Sequence, residues 1–187
     1  MSDPALLAGL PDRVADAIRA ALPGLREVAA HAGRFDLDEL KAFTARAPAV
    51  RVALLRVDKG VEVSGPAMRR EAQLAAFIVT RDAPALPRDR AAAAIAQALL
   101  ALAEGARWGS PDLGQARSVA AENLYSAGAR GQGVSLWAVS WAQPLMLEAA
   151  PAPGVPVDLY VSQAPEIGAA FEAAYDLVGH DLAGSAP

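Results

Sequence analysis

Histidines, serines, carboxylates and glycine-rich turns are where this chain could do chemistry. The two histidines are His31, in an alanine-rich segment beside Arg34 and Asp36, and His180. Neither has a second ligand at metal-binding spacing, so each reads as a surface or capping residue and no metal is expected. Cysteine is absent, which excludes disulfides, thiolate zinc sites and cysteine nucleophiles. Ser135 and Ser140 lack a G-x-S-x-G elbow and fall in a strand pattern rather than on a strained turn. Asp38, Glu39 and Asp112 are carboxylates without a pairing signal, and they read as helix-start and turn acids. With no catalytic set and no cofactor motif, the expectation is a protein that is not an enzyme and holds no cofactor.

Two constellations remain. Gly128-Ala129-Arg130-Gly131-Gln132-Gly133 has the glycine spacing of a phosphate loop. It lacks the G-K-[ST] ending and leads into a strand, so no helix N-terminus would face a phosphate. It reads instead as a flexible hairpin tip, following Tyr125, that can touch a neighbouring subunit. Trp137 and Trp141 lie four residues apart on one face of a strand, a pattern that fits core, subunit interface or ligand platform. The candidate site is therefore a subunit interface or hairpin tip comprising Tyr125, Gly128, Arg130, Gly131, Trp137 and Trp141, with no catalytic, cofactor-binding or metal-ligating residue.

The elements that position these residues follow from periodicity. Pro11-Asp12 opens a first helix carrying Val14, Ile18 and Leu22. Pro23-Gly24 interrupts it, and residues 25–32 form a further turn or a loop. Asp36 and Glu39 make a capping box for a short helix carrying Leu37, Leu40 and Phe43, which Pro48 stops. Period two then takes over: Val50, Val52 and Leu54 share one strand face. Asp58-Lys59-Gly60 is a turn from which residues 61–63 pair back, and 64–66 is a second break. Residues 70–81 are apolar on both faces, which places that strand centrally. Pro87 starts the main helix, which runs to about Glu104 with Ile95, Leu99 and Leu102 as its stripe and Gly105 as its cap. Strands are expected over 116–125 and 133–147, with Pro144 suggesting an edge or a bend.

This order predicts an α+β domain over residues 1–148, a mostly antiparallel sheet with helices packed on one face. Residues 149–187 form a Pro/Ala linker and C-terminal appendage, with a strand over 157–161 and a short helix over 167–177 that carries Phe171 and Tyr175.

Composition adds a constraint. Of 187 residues 46 are alanine and only 5% are aromatic, so each core residue buries little area and partner surfaces become important. Met1-Ser2-Asp3-Pro4 lacks a basic region followed by an apolar core, so no signal peptide is expected, and the alanine run at 91–103 is too short and polar to span a membrane. Net charge is −4, unevenly spread. Residues 49–110 carry nine basic and six acidic groups, whereas 111–187 carry two and eight, with no Lys or Arg after Arg130. That offers no obvious grip on nucleic acid, but it makes the basic middle and acidic last third a candidate pair for self-association.

One succession of blocks is more specific. It runs through Ala21-Leu22-Pro23-Gly24-Leu25-Arg26-Glu27-Val28, then Arg46-Ala47-Pro48-Ala49-Val50-Arg51-Val52-Ala53, then Ala75-Ala76-Phe77-Ile78-Val79-Thr80. It ends with Glu122-Asn123-Leu124-Tyr125-Ser126, the glycine-bearing hairpin, and the strand from Gly133 to Leu145. Over residues 11–147 this resembles the tail terminator, or tail-completion, family of Mu-like phages and prophages. The resemblance implies a tail-terminator-like α+β fold and a homo-oligomer, a hexameric ring, that caps the head-proximal end of the tail tube. It implies contacts with tube and sheath subunits and with the head–tail connector. DNA would pass through the lumen as cargo, and no membrane would be involved. Glu122, Glu148 and Asp158 are candidates for acids facing the lumen. The protein would sit in the virion after assembly in the bacterial cytoplasm. Alternatives are a head–tail joining protein, a binding module using the Trp137/Trp141 face and, last, an unrecognised hydrolase.

Overall fold

A computed structural model describes residues 5–33, 45–62, 67–84, 86–124, 133–148, 159–161, 170, 173 and 176–179. The chain divides into two compact units, Met1–Ala149 and Ala150–Pro187. The first is an α+β unit in which a six-stranded sheet carries two helices. In chain order its elements are α1 (Leu6–Ala21), β1 (Glu27–His31), β2 (Ala49–Val57), β3 (Val61–Glu62), β4 (Ala67–Arg81), α2 (Arg88–Ala103), β5 (Arg117–Asn123) and β6 (Val134–Glu148). The second unit contributes β7 (Leu159–Val161) and β8 (Asp176–Gly179), paired antiparallel.

The sheet order is β1-β2-β4-β6-β5, with β3 attached to β4. Only β1 and β2 are parallel. β4 pairs with β6 without a register shift from Ala67↔Glu148 to Arg81↔Val134. Along this ladder Ala72, Leu74, Ala76 and Ile78 share a face with Trp141, Val139 and Leu145, and Val50 and Val52 of β2 continue it. Both helices cover this face. α1 contributes Leu6, Leu10, Val14, Ala15 and Ile18, and α2 contributes Ala96, Leu99 and Ala103. The large α1 side chains stabilise the unit by roughly 1.5–3 kcal/mol each on burial. The α2 face is mostly methyl groups, which leaves space under the helix for Trp108 and Trp141, tilted 43° with ring centroids 5.6 Å apart.

Several expectations change. α1 begins at Leu6, not at Pro11, because burial of Leu6 and Leu10 extends the apolar stripe by more than a turn. Pro11 lies inside the helix, where it removes one backbone bond near the N-terminus. Within residues 25–32, Glu27–His31 form a strand, not a turn or loop, because β2 offers them a parallel edge. Val61 and Glu62 do not fold back on β2. They pair with Arg69 and Met68 of β4, continuing the line that β2 leaves. The deepest line of α2 is Ala92, Ala96, Leu99 and Ala103, while Ile95 and Leu102 are partly buried. In the second unit Asp176 and Leu177 are strand rather than helix, since they pair with Val161 and Tyr160. The predicted helix over 36–47 falls mainly on residues outside those described. As expected, Gly105 adopts a positive φ (+70°) just beyond α2. No helix among the described residues is long and apolar enough to cross a membrane.

Pro144 is not on an edge strand, because β6 lies between β4 and β5. β5 pairs with β6 only as far as Ala142, and beyond it residues 112–114 run along the same side. Gly114 N–H donates to Pro144 O (2.8 Å) and Met146 N–H donates to Asp112 O (3.1 Å). In that antiparallel pattern residue 144 would return a bond to Gly114 O, and proline has no N–H to give. The buried Gln143 amide supplies it, donating to Gly114 O at 2.6 Å. Gln143 Nε2 also reaches Ala106 O (3.4 Å), and its Oε1 accepts Trp108 Nε1–H (2.8 Å). Gly114 completes the fit, since a Cβ there would stand 2.9 Å from Pro144 Cβ.

Gln143→Leu keeps the apolar volume but leaves Trp108 N–H and Gly114 C=O unpaired. Urea denaturation of this variant is expected to lose about 1–3 kcal/mol for each orphaned group, with the m-value unchanged.

Candidate functional site

The two tryptophans separate. Trp141 is 2% exposed, packed on Trp108 inside the core of its own unit. Trp137, four residue pairs along the β4–β6 ladder, is partly buried against that core and keeps some surface. Tyr125, Gly128, Arg130 and Gly131 lie outside the described residues, so the hairpin tip has no geometry here. Ser135 is buried and Ser140 exposed on β6. His31 Nδ1 lies 2.8 Å from the Gly33 carbonyl oxygen, a local contact at the end of β1. Among the described residues no three His, Asp or Glu side chains gather as a metal site would require. The side chain of Glu122 is exposed on β5.

Charged side chains converge in two places that the sequence did not single out. The first is on the sheet face opposite the helices, between β1 and β2. Glu27 is opposite Ala49 and two pairs away from Arg51, on the same face. Arg51 Nη2 lies 2.7 Å and Arg46 Nη1 2.8 Å from Glu27 Oε1. Arg51 is nearly buried, with 11% of its side chain exposed, so the Glu27 carboxylate is what makes an arginine tolerable in mid-strand. Burial by itself would raise the Glu27 carboxyl, but hydrogen bonds from Arg51 and Arg46, reinforced by their charge, hold it below its ordinary value.

The second place is a notch where β2 ends. The chain leaves the sheet at Asp58, whose N–H still donates to Glu71 O (2.8 Å), and rejoins β4 at Val61. Arg70 crosses this detour and donates through Nη1 to Asp58 O (3.2 Å). Gly60 lies under it: a Cβ would come within 3.1 Å of Met68 Cε and 3.2 Å of Arg70 Cγ. On the other flank the Arg117 guanidinium pairs with Glu71. Between them opens a polar groove of about 720 Å³, lined among others by Lys59, Arg69, Arg70, Arg117, Glu71 and Glu104. Arg56 pairs with Asp58 at 2.8 Å, and among the described residues no carboxylate lies within ion-pair distance of Lys59, Arg69 or Arg70. Lys59 and Arg69 are exposed. Four basic side chains line this groove against the carboxylates of Asp58, Glu71 and Glu104, a small basic surplus whose one visible signal in the sequence is the basic excess of residues 49–110.

No protein-family description matches the chain, and no curated protein matches it as a relative.

The Glu27 cluster sets a pH dependence. A carboxyl held below its ordinary value adds stability that is full above the ordinary glutamate pKa, near 4.5, and is lost as the pH falls below it. Chemical denaturation of the wild type at pH 6 and pH 3 is expected to reveal this loss. Glu27→Gln should be less stable at pH 6 and lose less on acidification; an equal acid loss in both proteins would remove Glu27 from the account.

Proposed function

We propose that the protein is a phage virion structural protein of the tail-terminator type, which acts by forming a ring at the head-proximal end of the tail tube. In this reading the ring, six copies of the chain, ends polymerisation of the tube and presents the surface on which the head–tail connector docks. DNA passes through its lumen without chemistry. The protein is not an enzyme and uses no cofactor. It works in the virion, after assembly in the bacterial cytoplasm.

The observation that carries the reading is β5. Five of its seven residues are exposed, although it is a full strand of the main sheet. It follows α2 and runs into Glu122-Asn123, where the last block of the family resemblance begins. At the far side of the sheet stands β1, unlike β5 in sequence and in the direction of its pairing. A cyclic head-to-tail assembly needs two different patches on each subunit, and a sheet bounded by two unlike strands supplies candidates for both. The alanine-rich composition supports the same reading, because a chain with few large side chains gains from burying surface on its neighbours.

Negative-stain images of particles made without this protein test the proposal. The expected result is tails of irregular, extended length that fail to join heads. Tails of uniform normal length that still join heads would overturn it.

A further inference from the structure

We propose that the notch beside β2 is a docking site for the acidic C-terminal segment of a second copy of the chain, residues 158–181. The proposal rests on the ring reading above and names one of its contacts. Three cations stand at the notch without a carboxylate among the described residues: Lys59, Arg69 and Arg70. Arg70 is committed to bracing the detour through Asp58 O, whereas Lys59 and Arg69 are exposed. The cavity is wide enough, at about 720 Å³, to take several side chains, and it is open to solvent along one side.

The complementary charge lies in the same sequence. Residues 150–187 contain Asp158, Glu166, Glu172, Asp176 and Asp181 and no Lys or Arg. A segment with one sign of charge and a groove with a surplus of the other attract each other, and their arrangement disfavours the reverse docking of two identical patches. Because patch and counterpart occupy different parts of the chain, the contact is compatible with a head-to-tail ring, and the six-copy mass separates that from a reciprocal two-copy exchange. Arg117 of β5 borders the notch, so the groove is continuous with the exposed strand already assigned to the subunit contact.

The same surface suits nucleic acid less well. Asp58, Glu71 and Glu104 also line the groove, and a duplex with a phosphate charge every few ångströms would meet them. The carboxylates of the C-terminal segment are spaced four to eight residues apart, so they can meet cations and leave uncharged residues against the acids.

Lys59 allows a direct test, since the chain has only one other lysine, Lys41, which serves as the internal control. Full-length protein grown in normal and in heavy nitrogen is mixed in equal parts, dissociated, reassembled and treated with a carbodiimide, which joins an amine to a touching carboxylate. The expected product is a mixed-isotope peptide linking Lys59 to a carboxylate within 158–181. Its yield should fall about fivefold on Arg69→Glu. It should fall also in about 1 M salt, where the Debye length is about 3 Å. Arg69→Gln, with a smaller fall, guards against misfolding of the charge-reversed protein. Lys59 links found only within single copies, only to other acids or not at all would overturn the proposal. So would binding of a 30-bp DNA duplex that Arg69→Glu abolishes. The mass of the same samples keeps the two ideas apart: six-copy particles without the Lys59 link overturn this docking alone, and a monomer overturns both.

Discussion

The amide of Gln143 holds together the part of the sheet on which the rest of the fold is arranged. β6 must lie between β4 and β5, yet it carries a proline, and a proline in a central strand leaves a carbonyl opposite it without a donor. The side chain one residue earlier fills that vacancy at Gly114 O and, in the same position, receives the Trp108 indole and reaches Ala106 O. One buried group thereby joins the strand, the turn after α2 and the segment that runs along Pro144. Because β6 keeps its register, the β4–β6 ladder runs fifteen residues without a shift, and both helices have a flat apolar face to cover.

α1 lays large side chains on that face, whereas α2 and the middle of β4 contribute mostly methyl groups. Under α2 the methyl groups of Ala72, Ala76, Ala96 and Ala103 lie in the same core as Trp108, Trp141, Leu74 and Leu99. A core of this kind depends on fit more than on area, so polar satisfaction at Gln143 and at the Glu27–Arg51 pair weighs heavily. It also leaves charged side chains, rather than large apolar ones, as the main features of the surface. Leu55 and Leu86 are the only large hydrophobic residues that stand exposed among those described.

Periodicity made the regular elements legible. Val50-x-Val52, the doubly apolar run of β4, the helix between Pro87 and Gly105 and the alternation around Trp137 all lead to elements of the right type. The α+β class followed from their order. What was hidden depends on partners distant in sequence. β1 is five residues with two alanines and a histidine, and only the edge of β2 makes it a strand. Asp58-Lys59-Gly60 has the composition of a reverse turn, but the length of β4 lets the chain rejoin the same edge farther on. Pro144 suggests an edge or a bend in sequence alone, because its compensation comes from a neighbouring side chain, not from a backbone pattern. The charged notch was invisible for the same reason: Lys59, Arg69, Glu104 and Arg117 come from four separate elements or loops. Of the aromatic pair, Trp141 is taken up by the core and only Trp137 retains surface.

The proposed reading is of a chain that acts through contact with copies of itself. The most direct measurement is the mass of the purified full-length protein by light scattering over a wide range of concentration. The account predicts a species of six copies at 19.2 kDa each, about 115 kDa, or a concentration-dependent approach to it. A constant 19.2 kDa particle at every concentration would contradict it.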